Sequence, residues 1–225
     1  NNLAIQGFAV KGVWSGSSSI GKSIELISGY DSSVKMAAIG YNLTDTSTGS
    51  TYGGDLTFHT QPLYSSPTTP LPVRMRISSS GYVTKPDAPG FEASYPDAYN
   101  TSNSPSNYVT QWLRVHHNYG SHFNANTGYF TAPVNGRYLF GTIWTNVGHS
   151  NPHCAFGINN GAASGPSRGG TNYTELWHTN SGSGSGMSPV HIFDLSANDT
   201  VNVWIYGFTG TPDDPRCYFF GYLLG

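Results

Sequence analysis

Charge is what this chain has least of. Only 10% of its 225 residues are Asp, Glu, Lys or Arg, against roughly 25% in an average globular domain. No lysine follows residue 90, the four arginines beyond that point (Arg114, Arg137, Arg168 and Arg216) are scattered, and the net charge is -2. A nucleic-acid binder needs a basic stripe to replace the counterions on phosphates, so nucleic acid is excluded as a partner. Long hydrophobic runs are missing too: none approaches the ~20 residues that cross a bilayer, which excludes membrane insertion by a helix. There are two cysteines, Cys154 and Cys217. They make no disulfide scaffold and offer no second pair with metal spacing. Two buried thiols acting as small hydrophobes are expected rather than a bridge between them. The chain opens Asn-Asn without Met or a recognisable leader, and reads as a fragment or a processed C-terminal piece.

What fills the gap is Gly, Ser, Thr, Asn and Pro, with 14% aromatic residues. Turn formers plus aromatics, with scarce helical periodicity, point to an all-β protein rather than to disorder. In the first ninety residues, 23–28, 34–41, 55–60 and 73–78 read as strands. In the last of them Val73, Met75 and Ile77 alternate with Arg74, Arg76 and Ser78, the period of a half-buried strand. Prolines 62, 67, 70 and 72 exclude a regular central strand between the last two. These strands carry few large side chains, so residues 1–90 could hardly close a core alone. They suit a short β-shaft in which several copies intertwine. Residues 81–97, with three prolines and two glycines, read as a junction.

Residues 91–225 hold longer, oilier strands at 108–117, 128–133, 136–145, 153–158, 188–195, 200–208 and 216–224. Their spacing suits a β-sandwich. Three of them are apolar on both faces: Tyr138, Phe140 and Trp144 back onto Leu139 and Ile143, Val201, Val203 and Ile205 back onto Trp204, Tyr206 and Phe208, and 217–224 follows suit. A sandwich sheet normally wets one face. Further copies of the subunit are the expected cover, with loops folding back as the alternative.

The segment around 112–140 resembles the signature of the complement-1q globular head family, a jelly roll related to tumour necrosis factor. Asn118, Phe123, Phe130, Gly136, Tyr138 and Phe140 fall at its intervals. Trp112 stands where the family usually has Phe, and Thr142 replaces the aromatic at the end. "YFFGYLLG" and "LSANDTVNVWI" resemble the family's last and penultimate strands. The resemblance implies a ten-stranded jelly roll that forms homotrimers, with the aromatics in the core and the trimer contacts. Asn126-Thr127-Gly128 and Asn135-Gly136 would then make tight turns. "GDLTFHTQP" followed by "PLPVRMRISSSGYV" is similar to a segment of bacteriophage tail fibres. Collagen Gly-X-Y repeats, usual beside this head in vertebrates, are absent from the sequence.

Chemistry is harder to find. Carboxylates are few, and Asp213-Asp214 sit in a "TPDDPR" turn where they suit capping better than glycoside cleavage. There is no "GxSxG" elbow, so no enzyme is expected. His116 and His117 are strand neighbours and should point to opposite faces, one into an interface and one into solvent, so one chain cannot chelate with both. No metal and no cofactor is expected. The sequons at Asn42, Asn100, Asn172 and Asn198 are read as chance matches in an Asn- and Thr-rich chain. The recognition surface is expected in the long Gly-rich stretches 145–153, 159–186 and 207–216, where Tyr173, Trp177, His178, His149, His153 and Arg216 offer stacking faces and donors suited to sugar rings. For Trp177 a second reading stands equally, an anchor that pins its own loop into the core.

These lines converge on an all-β chain: a short intertwined trimeric β-shaft (1–90) followed by a jelly-roll β-sandwich head (91–225). The expected role is the C-terminal part of a bacteriophage tail fibre in the extracellular virion, a homotrimer binding a host cell-surface glycan or outer-membrane receptor. A secreted animal module of the same head family and a purely structural trimerisation knob are the alternatives.

Overall fold

The computed structural model describes residues 8–11, 23–27, 35–43, 54–62, 71–96, 106–109, 111–144, 153–159, 173–177, 188–206 and 217–225. Every regular element among them is a strand. The chain divides into two compact units, Asn1–Asp87 and Ala88–Gly225.

The first unit is one antiparallel meander whose strands pair in chain order: β1 (Phe8–Lys11), β2 (Ser23–Ile27), β3 (Lys35–Leu43), β4 (Gly54–Thr60), β5 (Val73–Ile77) and β6 (Val83–Thr84). Its register sorts the residues by polarity. Val10, Ile24, Ile39, Phe58 and Met75 lie directly opposite one another in a row across β1 to β5. On the other face Gly40, Thr57, Arg76 and Thr84 form a row. On this second face the β3 and β4 part is buried, with Ala38, Gly40, Asp55 and Thr57 covered, whereas Arg76 and Thr84 are exposed. Asp55 is 1% exposed, takes an ion pair from Arg76, and accepts the Ser79 N–H at 2.9 Å. The His59 ring bonds Thr57 Oγ1 and the Leu71 carbonyl, each at 2.9 Å. On the apolar face Ile39, Tyr41 and Leu56 remain exposed.

The second unit is a sandwich of two antiparallel sheets. One runs β15 (Val190–Leu195), β12 (Gly136–Ile143), β17 (Tyr218–Leu223), β7 (Gly90–Pro96), β9 (Trp112–Tyr119). The other runs β10 (Phe123–Asn124), β11 (Tyr129–Thr131), β16 (Thr200–Tyr206), β13 (His153–Ile158), β14 (Tyr173–Trp177), with β8 (Ser106–Tyr108) also on β16. Gly90–Pro96, read above as part of the junction, is thus an inner strand of the second unit.

The core lies between the sheets and is an aromatic stack. Phe91 lies face to face with Phe123, centroids 4.2 Å apart, and with Phe130 at 5.3 Å, and meets Phe219 edge-on at 4.9 Å. Phe140 reaches Phe130 at 5.4 Å and Phe156 at 6.4 Å. Such pairs add about 0.5–1.5 kcal/mol each beyond their burial. A methyl group on Gly221 would collide with the Phe140 and Phe91 rings, so only glycine lets β17 pass between them.

The polar members of the signature have local work. Asn118 clamps β10 with both ends of its amide: Nδ2 donates to the Phe123 carbonyl at 2.7 Å, and Oδ1 accepts the Phe123 N–H at 3.2 Å. The Tyr138 hydroxyl donates to the Val134 carbonyl at 2.9 Å. Gly128, with φ 70°, closes the turn after β10, where its N–H bonds the Asn124 carbonyl at 2.8 Å. Asn135-Gly136 behaves otherwise than expected. Neither residue has positive φ, and Asn135 Oδ1 accepts the Ala197 N–H at 2.7 Å, stapling the β15–β16 turn from outside.

Cys154 and Cys217 are buried and free, with no bridge between them. Burial pushes the Cys154 thiol far above its usual range. The thiolate is the nucleophile, so the native protein is expected to resist iodoacetamide at pH 8. Rapid alkylation without denaturant, read by mass spectrometry, would contradict this packing.

Candidate self-association and binding surfaces

The outer face of the β15-β12-β17-β7-β9 sheet is the first candidate. Alternation along β17 turns Phe219 into the core and Tyr218, Phe220 and Tyr222 outward. Each outward ring has room because of what stands opposite. Gly141 faces Phe220, and Gly90 faces Tyr222. A Cβ at either glycine would overlap that ring, so each aromatic reaches over the glycine of the neighbouring strand. Leu139 and Ile143 on β12 share the face and stay partly exposed. On β15, Val190 and Ile192 are exposed.

Histidines join this face at its β9 edge. The register between β7 and β9 shifts between Glu92 and Ala93, so β9 holds one extra residue there. A bulge of this kind breaks strict alternation. His116 therefore bonds Ser94 Oγ at 2.8 Å and stacks on Tyr218, centroids 5.8 Å apart, while His117 Nε2 meets the Tyr222 hydroxyl at 2.9 Å. The expectation that the two imidazoles point to opposite faces is corrected: both turn toward the β17 aromatics. No cluster that could hold a metal ion occurs among the described residues.

The residues singled out for recognition lie elsewhere. His149, His178 and Arg216 are outside the described residues. Tyr173 and Trp177 are not in a loop: they begin and end β14, an edge strand of the second sheet. His153 begins β13, and its register partner is Trp177; Tyr173 pairs with Gly157, at the far end of the ladder. Positions 173, 175 and 177 therefore align with 157, 155 and 153, which alternate with the core residues Cys154 and Phe156. That second side of β13 is itself covered, since Ala155, opposite Trp204 on β16, is fully buried. The same outward side of β16 carries Asn202, fully buried with neither end of its amide hydrogen-bonded.

Sequence reasoning missed the His117–Tyr222 contact because its two members are far apart in the chain. The two-faced apolarity of 217–224 was the available signal for the surface as a whole.

Two facing antiparallel sheets over an aromatic core, one with an oily outer face, define a jelly-roll-like sandwich built to pack against something. The family model for the C1q domain matches residues 94–224, more than half of the chain, and the chain belongs to that family. Among solved structures it is similar to the globular domain of zebrafish complement 1qA, at 20% identity over 61% of this chain and 98% of that one, with TM-score 0.40. It is also similar to murine APRIL, at 12% identity over 60% of this chain and 98% of that one, with TM-score 0.44. No curated protein matches the chain.

Proposed function

We propose that the chain is a non-catalytic binding module that works as a homotrimer, joined through the outer face of the β15-β12-β17-β7-β9 sheet. The carrying observation is that face: Phe220 and Tyr222 reach over glycines with Leu139 and Ile143 beside them, and Val190 and Ile192 are exposed. A wet surface of this kind marks an interface, and closed symmetry is the simplest way for identical chains to cover it. Membership of the C1q family supports three as the number.

The finer reading is the C-terminal part of a bacteriophage tail fibre, exposed on the virion and attaching it to a bacterial surface polysaccharide, lipopolysaccharide or outer-membrane receptor. Its support is in the first unit. The two segments similar to tail fibres are β4 and β5, which pair directly. In β3 and β4 Ile39, Tyr41 and Leu56 are left exposed, as suits strands that wrap around copies of themselves. Three weak sites on one tip would bind by avidity. The family match by itself favours a second reading equally, a secreted animal C1q-like module.

The purified chain is expected to sediment at three times its monomer mass, to coat cells of a susceptible bacterial host, and to block infection in competition with purified lipopolysaccharide. A trimer that binds no bacterial surface but binds animal glycans or immune proteins would overturn the fibre reading in favour of the second.

A further inference from the structure

The second sheet carries a buried polar group that is left idle. Alternation along β16 turns Val201, Val203 and Ile205 into the core, and Asn202 and Trp204 to the opposite side. Asn202 is fully buried, and among the described residues neither its Oδ1 nor its Nδ2 finds a hydrogen-bond partner. A buried amide without partners is costly, and such groups are rare in folded proteins. The register sets a particular floor beside it. On β13, Gly157 stands opposite Asn202, and Ala155 opposite Trp204. Both are buried, and neither has a side chain larger than a methyl group. On β14, the register partners of Gly157, Ala155 and His153 are Tyr173, Glu175 and Trp177.

Where one part of a chain simply packs on a sheet, the covered positions are apolar or find partners in their cover. Asn202 does neither. A ligand that brings its own hydrogen-bonding groups accounts for both the low floor and the idle amide. The chemistry narrows its class. The amide offers donors on Nδ2 and lone pairs on Oδ1. Two adjacent hydroxyls, each able to donate and to accept, satisfy both ends at once. The Trp204 indole, packed with Ala155, supplies apolar surface for the C–H face of a sugar ring. No Lys or Arg stands on any strand of this sheet, whereas Glu175 does. An anionic sugar would therefore meet a like charge and no counter-ion. A peptide would be held chiefly through its backbone at a free strand edge, and β16 and β13 are inner strands.

We propose that the covered side of β16 and β13 is a sugar subsite, in which Asn202 bonds two adjacent hydroxyls of a neutral pyranose lying against Trp204 over Ala155 and Gly157. This deepens the surface-glycan reading above and rests on it. Recognition then belongs to a sheet face rather than to the Gly-rich loops, with the positions of Tyr173 and Trp177 on the β14 margin of that face.

A glycan array probed with the purified chain tests this, with neutral and acidic glycans of bacterial and of animal origin as its arms. Neutral glycans are expected to bind and acidic ones to fail, and the arm that binds tells which surface supplies the sugar. For the wild-type chain, removing either hydroxyl of one adjacent pair on the bound sugar should weaken binding at least tenfold. Asn202→Leu keeps nearly the same shape. It should lose at least tenfold in binding while its thermal midpoint rises by about 3 °C, because an idle buried amide is gone. An amide already served by internal water would give the opposite sign, since removing its site is costly. A midpoint that falls therefore overturns the inference. So do an Asn202→Leu chain that binds as the wild type does, a bound sugar that tolerates the loss of each hydroxyl in turn, and wild-type binding confined to acidic glycans. In those cases the glycan reading stands and its contact lies elsewhere. A wild-type chain that binds no glycan overturns that reading and this inference together.

Discussion

Replacing Phe91 with alanine is expected to destabilise the second unit by about 3–5 kcal/mol, the range for deleting a buried aromatic side chain. Phe91 is fully buried and touches Phe123, Phe130, Phe140 and Phe219, rings drawn from both sheets. Little can collapse into the space, because the neighbours are rigid rings fixed by their own strands. Thermal unfolding should show the midpoint of the second unit falling by about 10 °C. Phe91→Leu should fall by much less, since most of the volume is kept. The pair of variants is informative because Phe91 sits between Pro89 and Pro96, in a stretch that reads as linker. An unchanged midpoint in Phe91→Ala would return it to that status.

Replacing Phe220 with glutamate is expected to dissociate the assembly while leaving the sandwich folded. The Phe220 ring lies outside the core, over Gly141, and is only partly buried in the single chain. A carboxylate there costs little in a monomer, where water reaches it. In an assembly it would add an unpaired charge next to Glu92 on every subunit, at a penalty of several kcal/mol per ion. Multi-angle light scattering should then report one chain mass where the wild-type chain is expected to give three, with an unchanged circular dichroism spectrum. A Phe220→Glu chain that still runs as a trimer would place the contact on another face.

The sandwich was legible where alternation was strong. Tyr138, Phe140 and Phe219 announce their strands by period and by size, and the same rows reveal a second apolar face. Gly90–Pro96 was not legible, because Pro86, Pro89, Gly90 and Pro96 are turn signals and outvote the alternating Phe91 and Ala93. Prolines at the start and end of a strand do not break its ladder. β14 was hidden in the same way, five residues inside a stretch of Gly, Ser and Asn. For the candidate surfaces, residue types could be read but not their partners. Nothing local to His116-His117 signals that a bulge opposite Glu92 turns both rings the same way. Of the recognition residues, Tyr173 and Trp177 were recognised as aromatic groups but assigned to a loop, while His153 stood where a loop meets the strand read at 153–158. What relocates them is pairing with β13 and β16, a long-range property that no window of sequence contains.

The order of strands in the second unit also sets a timetable. β17 lies between β12 and β7, so the last strand joins two otherwise separate pairs, β15-β12 and β7-β9. While the chain emerges from the ribosome, each pair presents a bare edge to solvent and to neighbouring nascent chains. The sheet becomes continuous only when Tyr218–Leu223 arrives. Closure of this sheet therefore waits for residues 218–223 and is dominated by distant pairings, hence slow. A nascent product stalled before residue 218 should be a substrate for chaperones or proteases.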